Sequence, residues 1–319
     1  MIQFTRPGRS FRLFAATLCV AAFFSGRASA QSSWEEQTIY TSTGGGGWSP
    51  TAKNFALGYY GTQSMVQFGP FIDRTRLLST FDSPTASPVW SRSDPIETRQ
   101  HRVAAAKSAP VFATMHSLST DDPFSLRDVI FRVYEPTSSQ PVYDSLLPVR
   151  TNGHESLFVG IPADGSFVLA AVHDIFGPQA GMPDTYLVRY DTATGAVVTG
   201  GVDIPFGGFR FAEISEDGRR ALFMTPFRAV VIDTQTLTEI FTLPFGGSFQ
   251  VAGGKISGDG ATLAIHGAQA GTGVLQSSLL LYLEDSNGSY SFDQELLDPS
   301  FSRCSSAALS EDGLGLVFG

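Results

Sequence analysis

The chain has 319 residues, a formal net charge of −9, 16% charged side chains and two cysteines. This acidic balance argues against a nucleic-acid partner, because a phosphate backbone repels a negative surface. With so few cysteines, stability must come from packing, for which the chain is long enough.

The first thirty residues have the three parts of a secretory signal peptide. Residues 6–12 contain three arginines, residues 13–24 are apolar but too short to span a bilayer, and residues 28–30 read Ala-Ser-Ala. We predict cleavage after Ala30 and export to the periplasm or out of the cell. The mature chain would carry a charge of −13 and one cysteine, Cys304, so it could form no intrachain disulfide.

Two landmarks recur along the remainder of the chain. One is an Asp-Gly turn, closed by Gly165, Gly218, Gly260 and Gly313. The other is an apolar or aromatic residue followed by an acid, at Asp82, Glu135, Asp191, Asp233 and Glu284. From Asp191 onward each acid precedes the next Asp-Gly by 27 to 29 residues, whereas the interval from Asp-Gly to acid varies from 15 to 26. The pattern indicates a repeat with one variable loop.

Two copies have lost the Asp-Gly pair. Adding the fixed interval to Asp82 places the turn of the second copy at position 109, within residues 107–115. In the first copy, residues 48–53 (WSPTAK) are interpreted as a degenerate turn, with Ala52 in the place of the glycine.

Each copy is predicted to contain four short strands. Asp-Gly between apolar runs favours a hairpin with a type I′ turn, which requires positive φ at both central residues. Residues 94–107 could begin a helix with Asp94 as its N-cap, but the fixed interval spans this segment and favours a strand. The predicted strands are 166–172, 220–224, 261–265 and 314–318 (second), 185–191, 229–233 and 279–284 (third), and 196–202 (fourth).

Repeats of about 40 to 50 residues that each form a four-stranded sheet indicate an all-β fold, a β-propeller. Residues 48–58, 214–223 and 256–265 resemble the repeat core of WD-type and related bacterial propellers, and residues 186–198 resemble the strand of those repeats that ends in aromatic-Asp-x-x-Thr-Gly. The Gly-His and Trp-Asp combination of the intracellular WD class does not occur. The resemblance is therefore to exported, YVTN-type or Tol-associated propellers.

The propeller is predicted to occupy residues 31–319, with five copies and a partial sixth, and six or seven blades if complete. Residues 33–43, interpreted as alternating polar with apolar over residues 37–41, are the candidate closing strand. The sixth copy would then lack its third strand, which predicts a longer natural protein and a bare sheet edge near residues 316–318.

The variable interval is the hairpin between the second and third strands of each blade. It is tight at 224–229 and long at 60–76, 116–128, 173–185 and 267–278. Long loops on a rigid scaffold commonly carry binding sites, although tolerated surface insertions are the equal alternative.

Three histidines, His116, His173 and His266, lie near the ends of second strands and therefore near the same end of their blades. With Asp174 they are the candidate ligand-binding residues. Asp121 and Asp122 lie nearby in the sequence, but the histidines stand at unequal offsets from their turns, so no metal and no other cofactor is predicted.

No nucleophile elbow, zinc-protease motif, Cys-x-x-Cys pair or phosphate loop occurs in the sequence. We therefore expect a module that binds a protein or small ligand on its long-loop face without catalysis. Two alternatives stay open: a lactonase-type hydrolase that gathers its residues from several blades, and the accessory propeller of a larger exported peptidase.

Overall fold

The computed structural model of the chain describes residues 2–6, 9–15, 51–58, 63–69, 75–82, 87–118, 127–151, 155–174, 185–203, 208–247, 249–270, 275–298 and 307–318. Every regular element within these ranges is a β-strand. The described residues accordingly include no helix long and apolar enough to cross a membrane. The chain divides into two compact units, Gly26–Gly208 and Met1–Ser25 with Phe209–Gly319.

The unit Gly26–Gly208 contains a seven-stranded antiparallel sheet in which strands follow one another in chain order. Its strands are β3 (Thr51–Gly58), β4 (Gln63–Gly69), β5 (Thr75–Asp82), β6 (Ser87–Ala105), β7 (Phe112–Leu118), β8 (Arg127–Tyr134) and β9 (Tyr143–Thr151). The first part of the 19-residue β6 pairs with β5 and the last part pairs with β7. The sheet is therefore two four-stranded blades, blade 1 and blade 2, that share one long strand.

Blade 3 is a separate sheet in the same unit. It consists of β10 (Glu155–Gly160), β11 (Phe167–Asp174), β12 (Thr185–Asp191) and β13 (Val197–Asp203), all antiparallel and in chain order. An aromatic contact joins it to blade 2, because the ring of Phe131 in β8 stacks on Tyr190 in β12 at 4.7 Å between centroids.

The second unit contains two further antiparallel blades, again in chain order. Blade 4 consists of β14 (Phe211–Ile214), β15 (Arg220–Met224), β16 (Arg228–Asp233) and β17 (Thr238–Pro244). Blade 5 consists of β18 (Phe249–Ile256), β19 (Thr262–Ala270), β20 (Leu275–Glu284) and β21 (Tyr290–Asp298). All five side chains of β15 are buried, as the continuous apolar pattern of a second strand requires.

The last sheet contains β22 (Ala307–Leu309), β23 (Gly315–Phe318) and, beyond them, β2 (Arg9–Ala15) and β1 (Ile2–Arg6). Strand β2 runs parallel to β23, with Leu13 opposite Leu316. The bare edge at residues 316–318 was predicted for the chain without residues 1–30 and stays a prediction; with those residues present, β2 pairs with that edge. The predicted closing strand, residues 33–43, lies outside the described residues.

The Asp-Gly turns form hairpins, but not with the predicted type I′ geometry. The glycines have φ near +70°, whereas Leu237 is the only described residue other than glycine with positive φ. In blade 4 the N–H of Gly218 donates to the carbonyl of Ser215 at 3.0 Å, and Ser215 Oγ donates to Asp217 Oδ1 at 2.6 Å. The preceding Asp thus stays at negative φ, and one left-handed glycine closes a four-residue loop.

Neighbouring turns are joined by one backbone hydrogen bond each. Asp217 N–H donates to the carbonyl of Gly258 at 2.9 Å, and the equivalent Asp259 N–H donates to Glu311 at 3.0 Å. Ser108 N–H makes the same bond to Ala163 at 2.7 Å. Ser108 thus holds the Asp position, so Ala109 holds the glycine position, which confirms the turn located by the fixed interval.

Three sequence predictions are wrong in detail. Residues 51–58 are the first strand of blade 1 and not a degenerate turn, because they pair with β4 from Thr51 opposite Gly69 to Gly58 opposite Gln63. Segment 60–76 is predicted as one long loop, but its residues 63–69 form strand β4. The predicted long loop 267–278 is mostly β-ladder, since Ala270 pairs with Leu275. The preference for a strand over a helix in residues 94–107 is confirmed, because residues 94–105 continue strand β6.

Candidate functional site

The hairpins between second and third strands lie at the same end of each blade as the link to the next blade. Of the predicted long hairpins, residues 119–126 and 175–184 lie outside the described residues. The candidate histidines and the tight turn of blade 4 are described, and they differ sharply in exposure.

His116 lies in β7, opposite His101 in β6 and Ile130 in β8, and is 1% exposed. Burial, followed by the positive charges of Arg132 and Arg92, lowers the pKa of the His116 imidazole to about 3. The ring is therefore neutral at physiological pH, and it is closed off from solvent.

His173 lies one residue from the end of β11 and is 6% exposed. Its Nδ1 is 3.1 Å from Oγ1 of Thr185, the residue opposite it in β12. Asp174 is the last residue of β11, in register with Glu155. The structure thus places His173 and Asp174 at the predicted end of blade 3, with His173 bonded to the neighbouring strand.

His266 lies in β19 of blade 5 and is 5% exposed. It faces Gly253 in β18, where a Cβ atom would lie only 2.8 Å from the imidazole Nε2. The ring therefore occupies space that a side chain at position 253 would need. This close approach explains the glycine at that position.

Among the residues that the structure describes, these histidines and Asp174 do not form a cation site. Within the described ranges, no group of three or more His, Cys, Asp or Glu side chains is arranged to hold a metal ion. His116 and His173 lie in the unit Gly26–Gly208, and His266 lies in the other unit. All three are side chains of the blade interior.

The tight hairpin of blade 4 presents the most exposed large apolar side chain of the described part of the chain. Phe227 is 78% exposed at the turn 225–228. Thr225 fixes this turn, because its Oγ1 accepts the N–H groups of Phe227 at 3.1 Å and Arg228 at 3.0 Å. Phe227 is thus an aromatic ring held in solvent on a rigid turn.

The link from blade 4 to blade 5 lies directly beside this turn. Phe245 N–H donates to the carbonyl of Phe227 at 2.7 Å, and the Phe245 ring lies 5.7 Å from the half-buried ring of Phe249. Arg210, at the same end of β14, is exposed and donates its N–H to Met224. We call the turn 225–228, the link 244–247, Phe249 and Arg210 the Phe227 surface.

Sequence reasoning classified 224–229 only as a tight turn and so did not find this surface. A signal was available in the residues. Pro226-Phe227-Arg228 puts a large aromatic side chain at a turn, where polar residues and glycine are usual. The sequence Pro-Phe-Gly-Gly also occurs twice, at 205–208 and 244–247, and each copy precedes the first strand of a blade.

Comparison with known proteins identifies a fold and no family. No family model matches the chain, and no curated protein matches it. Among solved structures, hydrazine synthase of Kuenenia stuttgartiensis is similar with a TM-score of 0.54 and 13% identity, over 88% of this chain and 76% of that one. Such a likeness carries the fold alone.

The successive four-stranded blades and this structural likeness together define the class of protein: the chain is an all-β protein of the β-propeller class.

Proposed function

We propose that this β-propeller is a binding module whose contact surface is the Phe227 surface. The supporting observation is the 78% exposure of Phe227 on a turn that Thr225 and Phe245 hold in place. A large aromatic side chain in water is unfavourable by about 1.5–3 kcal/mol relative to burial. Rigid exposed aromatic residues recover that free energy when a partner covers them, and they dominate many interfaces.

The neighbouring residues suit such a contact. Phe245 and Phe249 are half buried and pack against the core of blades 4 and 5, so they extend the apolar area without being free to move. The ladder of β15 and β16 holds the turn on a fully buried strand. A partner would therefore meet a preformed surface and order little of this protein on binding.

We further propose that the module is exported and is of the YVTN-like bacterial kind. The three-part N-terminal sequence and the resemblance of residues 214–223 and 256–265 to those repeats support this. Amino-terminal sequencing of the protein from its native source should begin at Gln31. A sequence that begins at or near Met1 in the native protein would contradict export through a cleaved leader.

A peptide selection tests the binding function. Random eight-residue peptides are selected on the immobilised wild-type chain, and the affinities of the recovered peptides are measured by fluorescence anisotropy. Phe227→Ser should weaken binding at least tenfold, as expected for an interface hot spot. Phe292→Ser is the matched control, because Phe292 is an aromatic residue 57% exposed on the outer strand β21.

Thermal melts of both variants establish that each is folded. If the selected peptides bind Phe227→Ser as tightly as the wild type, or if none is recovered, the Phe227 surface is not the binding surface and the proposal fails.

A further inference from the structure

The charges of the Phe227 surface are all of one sign. The segments that build this end of blade 4, residues 208–212, 223–230 and 240–254, contain Arg210 and Arg228 and no Asp or Glu. The chain as a whole carries 30 acids against 21 Lys and Arg. An apolar patch with only positive charges thus stands on an acidic protein.

The acids of the β14–β15 hairpin either bind other groups or lie at its opposite end. The closest acid along β14 is Glu213, whose carboxylate binds Lys255 Nζ at 2.7 Å and the N–H of Ile256 at 3.1 Å. Glu216 and Asp217 belong to the Asp-Gly turn at the opposite end of the β14–β15 hairpin. The exposed Arg210, whose N–H donates to the carbonyl of Met224 beside the turn, therefore stands at the end of the blade where the described segments contain no acid.

The backbone of the link is also open. Hypothetical Cβ atoms on Gly246 and Gly247 would meet nothing within 4 Å, and both residues are exposed. Two adjacent glycines without neighbours let another main chain approach closely, which a side chain at either position would prevent. An exposed aromatic ring, a positive charge and an open stretch of backbone therefore lie at the same end of blade 4.

We propose that the occupant of the Phe227 surface is an acidic peptide segment that carries an aromatic or branched aliphatic anchor. The anchor would pack on Phe227, its carboxylates would face Arg210, and its main chain would cross Gly246 and Gly247. This inference rests on the proposed binding function and adds the class of partner. Charge complementarity of this kind selects partners and speeds association, while the apolar anchor supplies affinity.

Charge selects this occupant over other macromolecules. A lipid bilayer or a nucleic acid presents an extended anionic surface, which would meet the net charge of −9 as well as the two arginines. A short acidic segment reaches Arg210 locally and leaves the rest of the acidic surface in water.

The test uses the eight-residue peptides recovered on the wild-type chain. Their sequences should be enriched at least twofold in Asp and Glu over the unselected library, next to an aromatic or aliphatic residue. Arg210→Glu should weaken binding of the consensus peptide by three- to tenfold. Raising NaCl from 50 to 500 mM should weaken it similarly, because the charge contribution is screened. A consensus peptide with Gln and Asn in place of its acids should lose both effects.

The outcomes separate this inference from the proposed function. Binding that requires Phe227 but shows no acid enrichment and no response to Arg210→Glu overturns the acidic partner and leaves the binding function standing. Binding that is indifferent to Phe227 overturns both. Stronger Phe227-dependent binding to phosphatidylserine vesicles would identify a lipid surface as the occupant, and stronger Phe227-dependent binding to oligothymidylate would identify a nucleic acid. Phe227-dependent dimerisation in sedimentation equilibrium would identify a second copy of the chain. Each of these results overturns the acidic peptide.

Discussion

Arg220 of blade 4 donates from Nη2 and Nε to the same carboxylate oxygen of Glu284 in blade 5, at 2.8 and 3.2 Å. Its Nη1 also contacts Asp233 of its own blade at 2.5 Å. Arg220 and Glu284 are both largely buried. One guanidinium therefore joins the third strands of two neighbouring blades, at the end of the blades opposite Phe227.

The Arg220 contact should be essential for stability. Arg220→Met removes the close cation of Asp233 and of the buried Glu284, which keeps only Arg219 at 3.6 Å. Breaking a buried ion pair typically costs about 3–5 kcal/mol. Urea unfolding measures the free energy of unfolding. Arg210→Met is the control, since an exposed arginine should change this free energy by no more than about 0.5 kcal/mol. Equal free energies of unfolding for the two variants would show that the contacts of Arg220 with Glu284 and Asp233 make no net contribution to stability.

Leu237 combines a strained backbone with a buried side chain. Its φ is +57°, at the turn position that Gly195 and Gly288 occupy in blades 3 and 5, and its side chain is fully buried. Leu237→Gly would relieve about 1–2 kcal/mol of left-handed strain. It would also remove apolar contacts worth about 3–5 kcal/mol in buried leucines.

Burial is the larger effect, so Leu237→Gly should lower the free energy of unfolding by about 1–4 kcal/mol. Gly195→Ala should also destabilise the protein, for the opposite reason, because it places a Cβ at φ +68° where the ring of Tyr143 already lies. A stabilised Leu237→Gly variant in urea unfolding would mean that backbone strain outweighs packing here.

His116 should make stability depend on pH. Its folded-state pKa of about 3 lies below the value of about 6.5 in an unfolded chain, so the unfolded state takes up the proton first. The stabilisation is present above pH 6.5 and is lost as pH falls from 6.5 toward 3. At pH 5 the expected loss is about 2 kcal/mol relative to pH 7.

His116→Gln removes this ionisable group. The difference between the unfolding free energies at pH 7 and pH 5 should therefore shrink by about 2 kcal/mol in the variant. An unchanged difference would mean that the His116 ring is protonated as easily in the folded protein as in the unfolded chain.

Removal of residues 1–30 should expose one side of β23. In the full chain β2 pairs with β23, and β22 pairs with its other side. Hydrogen exchange at residues 316–318 should accelerate in the chain that starts at Gln31, while exchange at Leu263 in β19 stays unchanged. Undiminished protection at 316–318 would mean that another strand, such as residues 33–43, takes the place of β2.

Much of the architecture follows from local patterns. The third strand of blade 3, residues 185–191, was predicted with the bounds that the structure shows. The turn at Ala109 was located although its glycine is replaced, because strand length fixes the spacing between turns. The first strand of blade 1 was not predicted at residues 51–58. The sequence that follows it, residues 59–62, contains Gly61 but no Asp before it, so the Asp-Gly landmark is absent there. The length of β6 was not predicted, because a strand shared by two blades has no local signature in the sequence.

The candidate site was less predictable than the fold. The histidines were selected by residue type and by their place near strand ends, but burial depends on neighbouring strands that contribute residues such as Gly253 and Arg132. Phe227 was passed over because its exposure depends on the Thr225 turn geometry. Residue type alone does not indicate whether a side chain points into a blade or into solvent.

The most direct test of the central claim is hydrogen–deuterium exchange of the wild-type chain with and without its selected consensus peptide. The Phe227 surface predicts new protection in residues 224–229 and 244–250, and no change in residues 173–185. Protection confined to residues 173–185, beside His173 and Asp174, or to residues 116–128 would contradict it and place the binding site on the long hairpins instead.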